Sequence, residues 1–214
     1  MISVNLVSYT QPVISIPAAT PEELVMYCAK VSNPSKQDDF SGGLLEYCIR
    51  NKHWSIFTMV DATVEIKAPR DITRQILRHG SFDPQEFSQR YSDEIGFCDR
   101  EIRMQDTTNR QNSIPCDDLM LTAEWHEDLD RLRDRVEELY KYYRSKGVAK
   151  EVCRVILPEG LTMSTLYFKG SLRSWMHYLD VRESNGTQKE HIEVAKKCRE
   201  VLAPVFPRIL GVKA

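Results

Sequence analysis

Residues 59–79, MVDATVEIKAPRDITRQILRH, contain the change of pattern that decides the fold. Residues 59–67 alternate apolar and polar side chains, which is typical of a strand with one buried face. Pro69 suits the first turn of a helix, and we expect that helix to reach about His79. The apolar positions of this helix are Ile72, Ile76 and Leu77. A half-buried strand that leads directly into an amphipathic helix indicates a sheet packed against helices.

The same signals recur on both sides of this stretch. Further strands are predicted at 2–9 and 161–168, and further helices at 20–29, 41–51, 118–146, 171–180 and 188–203, with a short helix around Cys153. The helix over 118–146 has apolar residues at alternating spacings of four and three: Trp125, Leu129, Leu132, Val136, Leu139 and Tyr143. Because helices and strands do not alternate regularly, we predict an α+β fold, a small mixed sheet packed with long helices in a single domain over 1–214.

The composition argues against several classes of protein. The chain has 214 residues with 29 basic and 31 acidic side chains, and its net charge of -2 gives no general attraction for nucleic acid. No apolar run approaches the roughly 20 residues that span a bilayer, and residues 1–16 lack a secretory signal pattern. The six cysteines show no CxxC or other metal spacing. We therefore expect a cytoplasmic protein with reduced thiols and without a metal, a membrane or a nucleic-acid partner.

The densest polar cluster lies at the end of the helix that Pro69 begins. Two i,i+4 pairs lie on this helix: Arg74 with Arg78, and Gln75 with His79. After a break at 80–84, residues 85–91 (QEFSQRY) are predicted to run back past the helix end like a strand. The side chains that would then share one face are Glu86, Ser88 and Arg90. Arginine binds phosphate through a planar fork, so the cluster suits a phosphorylated ligand with a heteroaromatic ring.

Spacing alone leaves alternatives open for this cluster. A solvated surface of salt bridges would use the same residues. Glu86 could accept a hydrogen bond from a ribose hydroxyl or a ring N–H, or it could simply hold an arginine.

Three further arginines are candidates for ligand contacts. Arg154 lies in the apolar run VCRVIL, where its charge must be paired or reach a ligand. Arg173 and His177 form an i,i+4 pair opposite the apolar face of the helix at 171–180, and Arg182 follows that helix.

The remaining histidines and the general motifs give weaker signals. Residues 53–55 (His-Trp-Ser) close a loop before a strand, where binding residues often lie. His126 and His191 lie in charged helix faces, and we expect structural roles for both. A Gly-rich phosphate loop, GxSxG and HExxH are all absent from the sequence. We therefore expect the chemistry to come from a bound cofactor and a positioned substrate.

Residues 78–91, RHGSFDPQEFSQRY, resemble the signature of flavin-dependent thymidylate synthases, RHRxxSxxExSxRY in its usual form. The resemblance covers nearly the whole chain and includes His53, residues 67–79, Arg154 before LP, and 172–191 (LRSWMHYLDVRESNGTQKEH). It implies the conversion of dUMP to dTMP, with methylenetetrahydrofolate as carbon donor and NADPH-reduced FAD as hydride donor. It also implies an α+β subunit in a homotetramer whose sites combine residues from several subunits.

The resemblance also implies roles for individual residues. Contacts to the nucleotide fall on Gln75, Ser88, Gln89, Arg90, Arg154 and Arg182. Contacts to FAD fall on Ser55, Arg78, His79, Gln85, Glu86, Tyr91, Arg173 and His177. The catalytic set is Arg182, Ser88 and His53, in which Arg182 holds the uracil edge and His53 borders the flavin and folate space with Tyr91. Ser88 is then a binding hydroxyl near the phosphate and not a covalent nucleophile, because no local base activates it.

Several departures from the usual pattern fall around the flavin, whereas the residues implied for the nucleotide are all present. Gly80 stands where the motif has arginine, Asp83 where it has serine, and Lys169 where an asparagine is common. Residues 55–58 (SIFT, ending in Thr58) replace a run like SPFEH. These changes leave two alternatives: a pyrimidine C5-hydroxymethylase or dCMP-acting variant on the same scaffold, and a catalytically silent nucleotide-binding homo-oligomer.

Overall fold

Four antiparallel strands form the main sheet in the computed structural model, which describes residues 1–184 and 186–211. The described residues contain six strands in all: β1 (Ser3–Tyr9), β2 (Asp61–Pro69), β3 (Phe82–Glu86), β4 (Arg103–Gln105), β5 (Ser113–Pro115) and β6 (Met163–Ser171). The main sheet has the order β1-β2-β6-β3, while β4 and β5 form a separate hairpin. The predicted strands at the N-terminus, after residue 58 and after residue 160 are confirmed, with ends that differ by a few residues.

Eight α-helices accompany these strands. They are α1 (Pro21–Ala29), α2 (Leu44–Arg50), α3 (Arg70–Ile76), α4 (Leu119–Ser145), α5 (Lys150–Cys153), α6 (Leu172–Arg182), α7 (Lys189–Leu202) and α8 (Pro207–Leu210). Short 3-10 turns occur at Pro34–Lys36, Trp54–Thr58 and Arg154–Ile156. The described residues thus form a single small α+β domain, as predicted, but the strand pairs of the main sheet are all antiparallel rather than mixed. None of the described helices is long and apolar enough to cross a membrane.

One face of the sheet forms the core. Alternate residues of β2 are buried, namely Ala62, Val64, Ile66 and Ala68, and so is Pro69 at the end of the strand. Val64 pairs in register with the buried Phe168 of β6, and α6 and α7 pack on this side. Thr63, Glu65 and Tyr167 point to the opposite face, where Thr63 and Glu65 are half-buried and Tyr167 is exposed. The alternation of apolar residues in β2 therefore fixes which side of the sheet faces the helices.

An aromatic cluster ties β3 to this core. The rings of Phe82 and Phe168 stack with centroids 4.0 Å apart, and Trp175 of α6 meets Phe82 edge-on at 4.7 Å. Gly170 is the register partner of Phe82, and a Cβ atom at Gly170 would lie 2.4 Å from the Phe82 ring. The stack therefore requires a residue without a side chain at position 170.

The prediction for residues 80–91 is wrong in its boundaries. The strand begins at Phe82, inside the expected break, and ends at Glu86. The following residues form a turn in which the amide of Arg90 donates to Ser88 Oγ (3.3 Å). Ser88 and Arg90 therefore do not share a strand face with Glu86. The burial of Phe82 against Phe168 outweighs the turn tendency of Asp83 and Pro84 and starts the strand early.

Helix α4 confirms the strongest helix prediction, but its predicted apolar seam is only partly buried. Val136 and Tyr140 are the buried residues, whereas Trp125, Leu132 and Tyr143 remain exposed by 38–44%. The helix packs on α5 and on the turn that follows it, which together cover only part of its length. The rest of the seam is an apolar surface of the chain.

Candidate active site

The ends of α3 and α6 meet at a contact between His79 and Arg182. The Nε–H of Arg182, the last residue of α6, donates to Nε2 of His79 (2.8 Å). Burial and the positive charges of Arg182, His177 and Arg78 lower the pKa of His79 to about 4. His79 is therefore neutral at pH 7, as this hydrogen bond requires. The resemblance assigns His79 to the flavin and Arg182 to the uracil ring, so this contact joins the two implied binding regions.

Gln75, one turn before His79, belongs to a second network. Its Nε2 donates to Gln188 Oε1 (2.7 Å), and its Oε1 lies 3.3 Å from Nδ1 of His191. Nε2 of His191 lies 3.1 Å from the Tyr178 hydroxyl. Gln188 and His191 therefore fix the position of Gln75 directly, and Tyr178 of α6 does so through His191.

The expectation that His191 lies on a charged helix face is wrong. His191 is fully buried, and burial together with the charges of Arg182 and His79 lowers its pKa to about 3. The signal that predicts its burial is the helical spacing of the apolar residues that follow it, Val194, Ala195, Cys198 and Leu202. Tyr178 and Gln188 were also missed, since a tyrosine in an apolar stripe and a glutamine before a helix carry no chemical signature of their own.

Glu86 has three partners within the chain. Its carboxylate accepts from the hydroxyls of Thr73 and Ser164, both at 3.0 Å, and pairs with Arg74 at 3.2 Å. Arg74 also reaches Glu159 (3.1 Å). Glu86 therefore holds an arginine, Arg74, which is one of the alternatives that spacing left open.

A second group of site residues lies on the turn after β3 and on α5. Gln89 is buried and accepts a hydrogen bond from Arg70. Arg90 is exposed and pairs with Glu151 (3.3 Å), a residue of α5. Arg154 begins the 3-10 turn after α5, one helical turn beyond Glu151. Arg90 and Arg154 thus belong to one region of the surface.

Arg154 differs from expectation, because its side chain is exposed despite the apolar run around it. Water solvates the guanidinium, so the argument that a buried charge must be paired does not apply. No hydrogen bond or ion pair among the described residues joins the group of Arg90 and Arg154 to the group of Gln75, His79 and Arg182. Within the described residues the two groups therefore belong to separate hydrogen-bond networks.

The other residues assigned to the flavin are solvent-exposed. They are Ser55, Arg78, Gln85, Tyr91, Arg173 and His177. Arg173 and His177 project from the polar face of α6, as the helical spacing predicted, and Gln85 is the register partner of Tyr167 on the open face of the sheet. Arg78 and Arg173 have no carboxylate partner within residues 1–184 and 186–211. They are cationic groups available to an anionic ligand.

Two of the departures from the usual signature are neighbours in the sheet. Asp83 of β3 is the register partner of Lys169 of β6. Lys169 also pairs with Asp61 at 3.4 Å. Opposite charges in directly paired positions attract, so the two changes compensate each other electrostatically.

The loop that carries His53 is held by the end of α2. The amide of His53 donates to Cys48 O (2.8 Å) and that of Lys52 to Ile49 O (3.1 Å), with Lys52 in a left-handed conformation (φ 59°). This is the hydrogen-bond pattern of a Schellman cap. The exposed imidazole of His53 lies edge-on to Tyr47 at 5.7 Å. Among the described residues, no hydrogen bond joins His53 to Arg182 or Ser88, the other members of the implied catalytic set.

The chemistry of these groups suits organic anions rather than metals. Among the described residues, no three His, Cys, Asp or Glu side chains come together as metal ligands. Exposed guanidinium groups, a neutral histidine and an oriented amide are instead donors and acceptors for a nucleotide.

Comparisons with known proteins agree with this donor set. The family model described as "Thymidylate synthase complementing protein" matches residues 6–208. A probable flavin-dependent thymidylate synthase of Paramecium bursaria Chlorella virus 1 is 45% identical over 213 residues, which cover 97% of this chain and 96% of the relative. A flavin-dependent thymidylate synthase of Synechocystis sp. is 44% identical over 208 residues, covering 96% of each chain.

A solved structure of a related enzyme has the same fold. The UMP/dUMP methylase PolB from Streptomyces cacaoi, bound with 5-Br dUMP, superposes with a TM-score of 0.78 and 26% identity. The match covers 96% of this chain and 91% of PolB. The chain therefore belongs to the thymidylate synthase complementing protein family, that of the flavin-dependent thymidylate synthases.

Proposed function

We propose that the protein converts dUMP to dTMP, with methylenetetrahydrofolate as carbon donor and NADPH-reduced FAD as hydride donor. The observation that carries this proposal is the 44–45% identity to two flavin-dependent thymidylate synthases over nearly the full length of each chain. The donors around Gln75, His79 and Arg182 give it a physical basis.

The pyrimidine binds at Gln75 and Arg182. A ring that is to accept a carbon at C5 needs electron density there, and a guanidinium at the uracil edge favours the polarised or N3-deprotonated ring that provides it. The hydrogen bond to His79 orients the guanidinium of Arg182 through its Nε, which leaves both terminal nitrogens free to donate to the ring. Arg182 thus binds and polarises the substrate without any covalent step on the protein.

The phosphate binds at Arg90, Arg154 and the hydroxyl of Ser88. Two exposed arginines and a hydroxyl match the charge and the acceptor geometry of a phosphate group. Because this group and that of Arg182 are separate within one chain, we infer that one site takes its phosphate contacts and its pyrimidine contacts from different subunits.

A homotetramer, which the family resemblance implies, would supply those subunits. The exposed apolar residues of α4 and of the 3-10 turn after α5, among them Trp125, Leu132, Tyr143 and Val155, are typical of a subunit interface. Light scattering on the purified protein measures the mass directly. A monomer at the concentration of the activity assay would contradict the shared site.

The residues on the flavin side fit FAD. Arg78 and Arg173 are unpaired cations suited to a pyrophosphate, and the space beside Gly80 is open, with nothing within 4 Å of a Cβ built there. FAD, when bound and reduced by NADPH, supplies the hydride that completes the methyl group. His177 and Gln85 offer further hydrogen-bond donors, and we place the whole reaction in the cytoplasm.

The test combines a spectrum with a turnover assay. Purified protein should show flavin absorbance, directly or after addition of FAD. It should release tritium from dUMP labelled at C5 when methylenetetrahydrofolate and NADPH are present. A colourless protein that takes up no FAD and releases no tritium would overturn the proposal.

Product analysis separates this reaction from its rivals. Mass spectrometry with dUMP, UMP and dCMP as substrates should find dTMP as the product from dUMP. A hydroxymethylated product, turnover of dCMP alone, or dUMP binding without turnover would each indicate one of the alternatives, none of which the comparisons favour.

A further inference from the structure

His191 is a buried histidine that the proposed mechanism does not use. It lies in the first turn of α7 with no exposed surface, between Gln75 and Tyr178. It therefore connects the aromatic core to a side chain that we assign to the nucleotide.

The burial of Tyr178 fixes the direction of the hydrogen bonds at His191. Tyr178 is fully buried, and burial raises the pKa of its phenol well above 10, so the hydroxyl keeps its proton. Nε2 of His191 is the acceptor within reach of that proton among the residues the structure describes. Tyr178 therefore donates to Nε2, because the opposite direction would leave a buried donor without an acceptor, which is costly.

The tautomer of His191 follows from this direction. The imidazole is neutral, so its single proton lies on Nδ1 when Nε2 accepts. Nδ1–H then donates to Oε1 of Gln75 at 3.3 Å. The arrangement excludes the flipped amide of Gln75, which would bring an N–H group against the N–H of the ring.

Gln75 is consequently held at both ends of its amide. His191 occupies its Oε1, and one N–H of its Nε2 donates to Gln188 Oε1 at 2.7 Å. The second N–H of Nε2 is left for a ligand. The site at Gln75 thus presents a donor of fixed direction, close to the His79–Arg182 contact.

We propose that His191 is a positioning residue, which locks the amide of Gln75 so that it offers an N–H donor to an acceptor atom of the pyrimidine nucleotide. This inference rests on the proposed function, since it requires a nucleotide at Gln75. It also gives Tyr178 a role, because the Tyr178 hydroxyl selects the tautomer that His191 uses.

The tautomer is measured directly by ¹⁵N NMR of the imidazole in the wild-type protein. We expect a protonated Nδ1 and an unprotonated Nε2 for His191, without ligand and at neutral pH. The Tyr178→Phe variant should weaken this preference. A neutral ring protonated at Nε2 in the wild type would overturn the proposal, whatever the variants show.

Two substitutions separate positioning from simple loss of structure. The amide of asparagine can place its nitrogen near the position of Nδ1, whereas the amide of glutamine reaches the position of Nε2. His191→Gln should therefore raise the dissociation constant and the KM for dUMP about tenfold with a nearly unchanged kcat, and His191→Asn should remain within about threefold of wild type. His126 is an exposed histidine on α4, so His126→Gln is the matched control. It should leave the dissociation constant, the KM and the kcat for dUMP unchanged.

A double-mutant cycle shows whether His191 acts through Gln75. In the Gln75→Ala background, His191→Gln should cause no further loss of dUMP affinity. Additive losses, or a His191→Gln variant that binds dUMP like the wild type, would contradict the proposal. Should the His191 variants fail to fold, the NMR measurement and Tyr178→Phe decide the matter. A wild-type protein that binds no dUMP would refute the proposed function itself and this inference with it.

Discussion

Arg182 and His79 form a pair in which each side chain constrains the other. The hydrogen bond from Arg182 Nε uses the lone pair of His79 Nε2, so the imidazole must be neutral and protonated at Nδ1. Burial lowers the pKa of His79 most, and the closeness of Arg182 lowers it further, because a second positive charge beside Arg182 is unfavourable. Because Nε of Arg182 donates to His79, the two terminal nitrogens of the Arg182 guanidinium are the ones that remain available to a ligand.

Replacing Arg182 by glutamine should weaken dUMP binding by about tenfold or more. Hydrogen bonds to a charged group are worth about 1.5–3 kcal/mol, and glutamine keeps the chain only as far as Cδ, so it loses the charge, most of the donors and the reach of the guanidinium. Calorimetric titration with dUMP measures the effect. Arg131→Gln, an exposed arginine on α4 that pairs with Glu127 and Asp128, should bind dUMP like the wild type. Equal affinity in both variants would place the nucleotide elsewhere.

Among the secondary-structure elements, α2 and α4 end in the same cap with different residues. In α4 the amide of Gly147 donates to Arg144 O and that of Val148 to Tyr143 O, with Gly147 at φ 85°. In α2 the corresponding left-handed position is occupied by Lys52 at φ 59°. A left-handed residue other than glycine costs about 1–2 kcal/mol, so α2 carries strain that α4 avoids.

Lys52→Gly should therefore raise the free energy of unfolding by about 0.5–1 kcal/mol, as glycine adopts φ > 0 without steric cost. The reverse substitution at the end of α4, Gly147→Lys, should lower the free energy of unfolding by a similar amount. Chemical denaturation of both variants and the wild type provides the measurement. If Lys52→Gly were destabilising, side-chain contacts of Lys52 would outweigh its backbone strain.

Gly170→Ala should lower the free energy of unfolding by about 1–3 kcal/mol, the usual cost of overpacking a core. The new methyl group would overlap the Phe82 ring, and the ring cannot move away because Phe168 and Trp175 pack against it. Gly160→Ala is the control, since a Cβ at Gly160 meets nothing within 4 Å. Equal stability of the two variants would show that β3 shifts easily.

Local patterns predicted the elements of this fold but not all of their contacts. The alternation in β2 and the helical spacing in α6 correctly place Val64 in the core and His177 on the surface. The early start of β3 was not predictable, because it depends on Phe82 reaching Phe168, a residue 86 positions later in the chain. For the same reason the position of His191 required the fold, since its partners Gln75 and Tyr178 come from two other helices.

At the scale of the whole molecule, the resemblance predicts one nucleotide site, whereas the residues assigned to that site form two separate groups within a single chain. The resemblance assigns Arg90, within the signature of residues 78–91, and Arg182, far outside it, to the same nucleotide. In the folded chain Arg90 pairs with α5, while Arg182 lies at the end of α6 against α3. Residues that a family resemblance assigns to one substrate need not come together within one subunit. The roles implied for them stay predictions that the assembled protein must test.

The two buried histidine contacts make the whole fold sensitive to acid. His79 and His191 have pKa values of about 4 and about 3 in the folded protein, against an ordinary value of 6.5. The unfolded chain therefore binds more protons at mildly acidic pH, so the free energy of unfolding is fully maintained above about pH 6.5 and decreases as the pH falls toward 4. Protonation would also place a positive charge on His79 beside Arg182, and would put an N–H at Nε2 of His191 against the hydroxyl proton of Tyr178.

Urea denaturation at about pH 7.5, 6.5 and 5.5 should show this decrease, and His191→Asn should reduce its slope because one of the two shifted histidines is gone. His126→Asn, the exposed counterpart on α4, should leave the slope as in the wild type. A wild-type stability that is constant over this range would mean that the two imidazoles take up protons without disturbing their contacts. The hydrogen bonds to Arg182 and Tyr178 argue against that result, since both require an unprotonated Nε2.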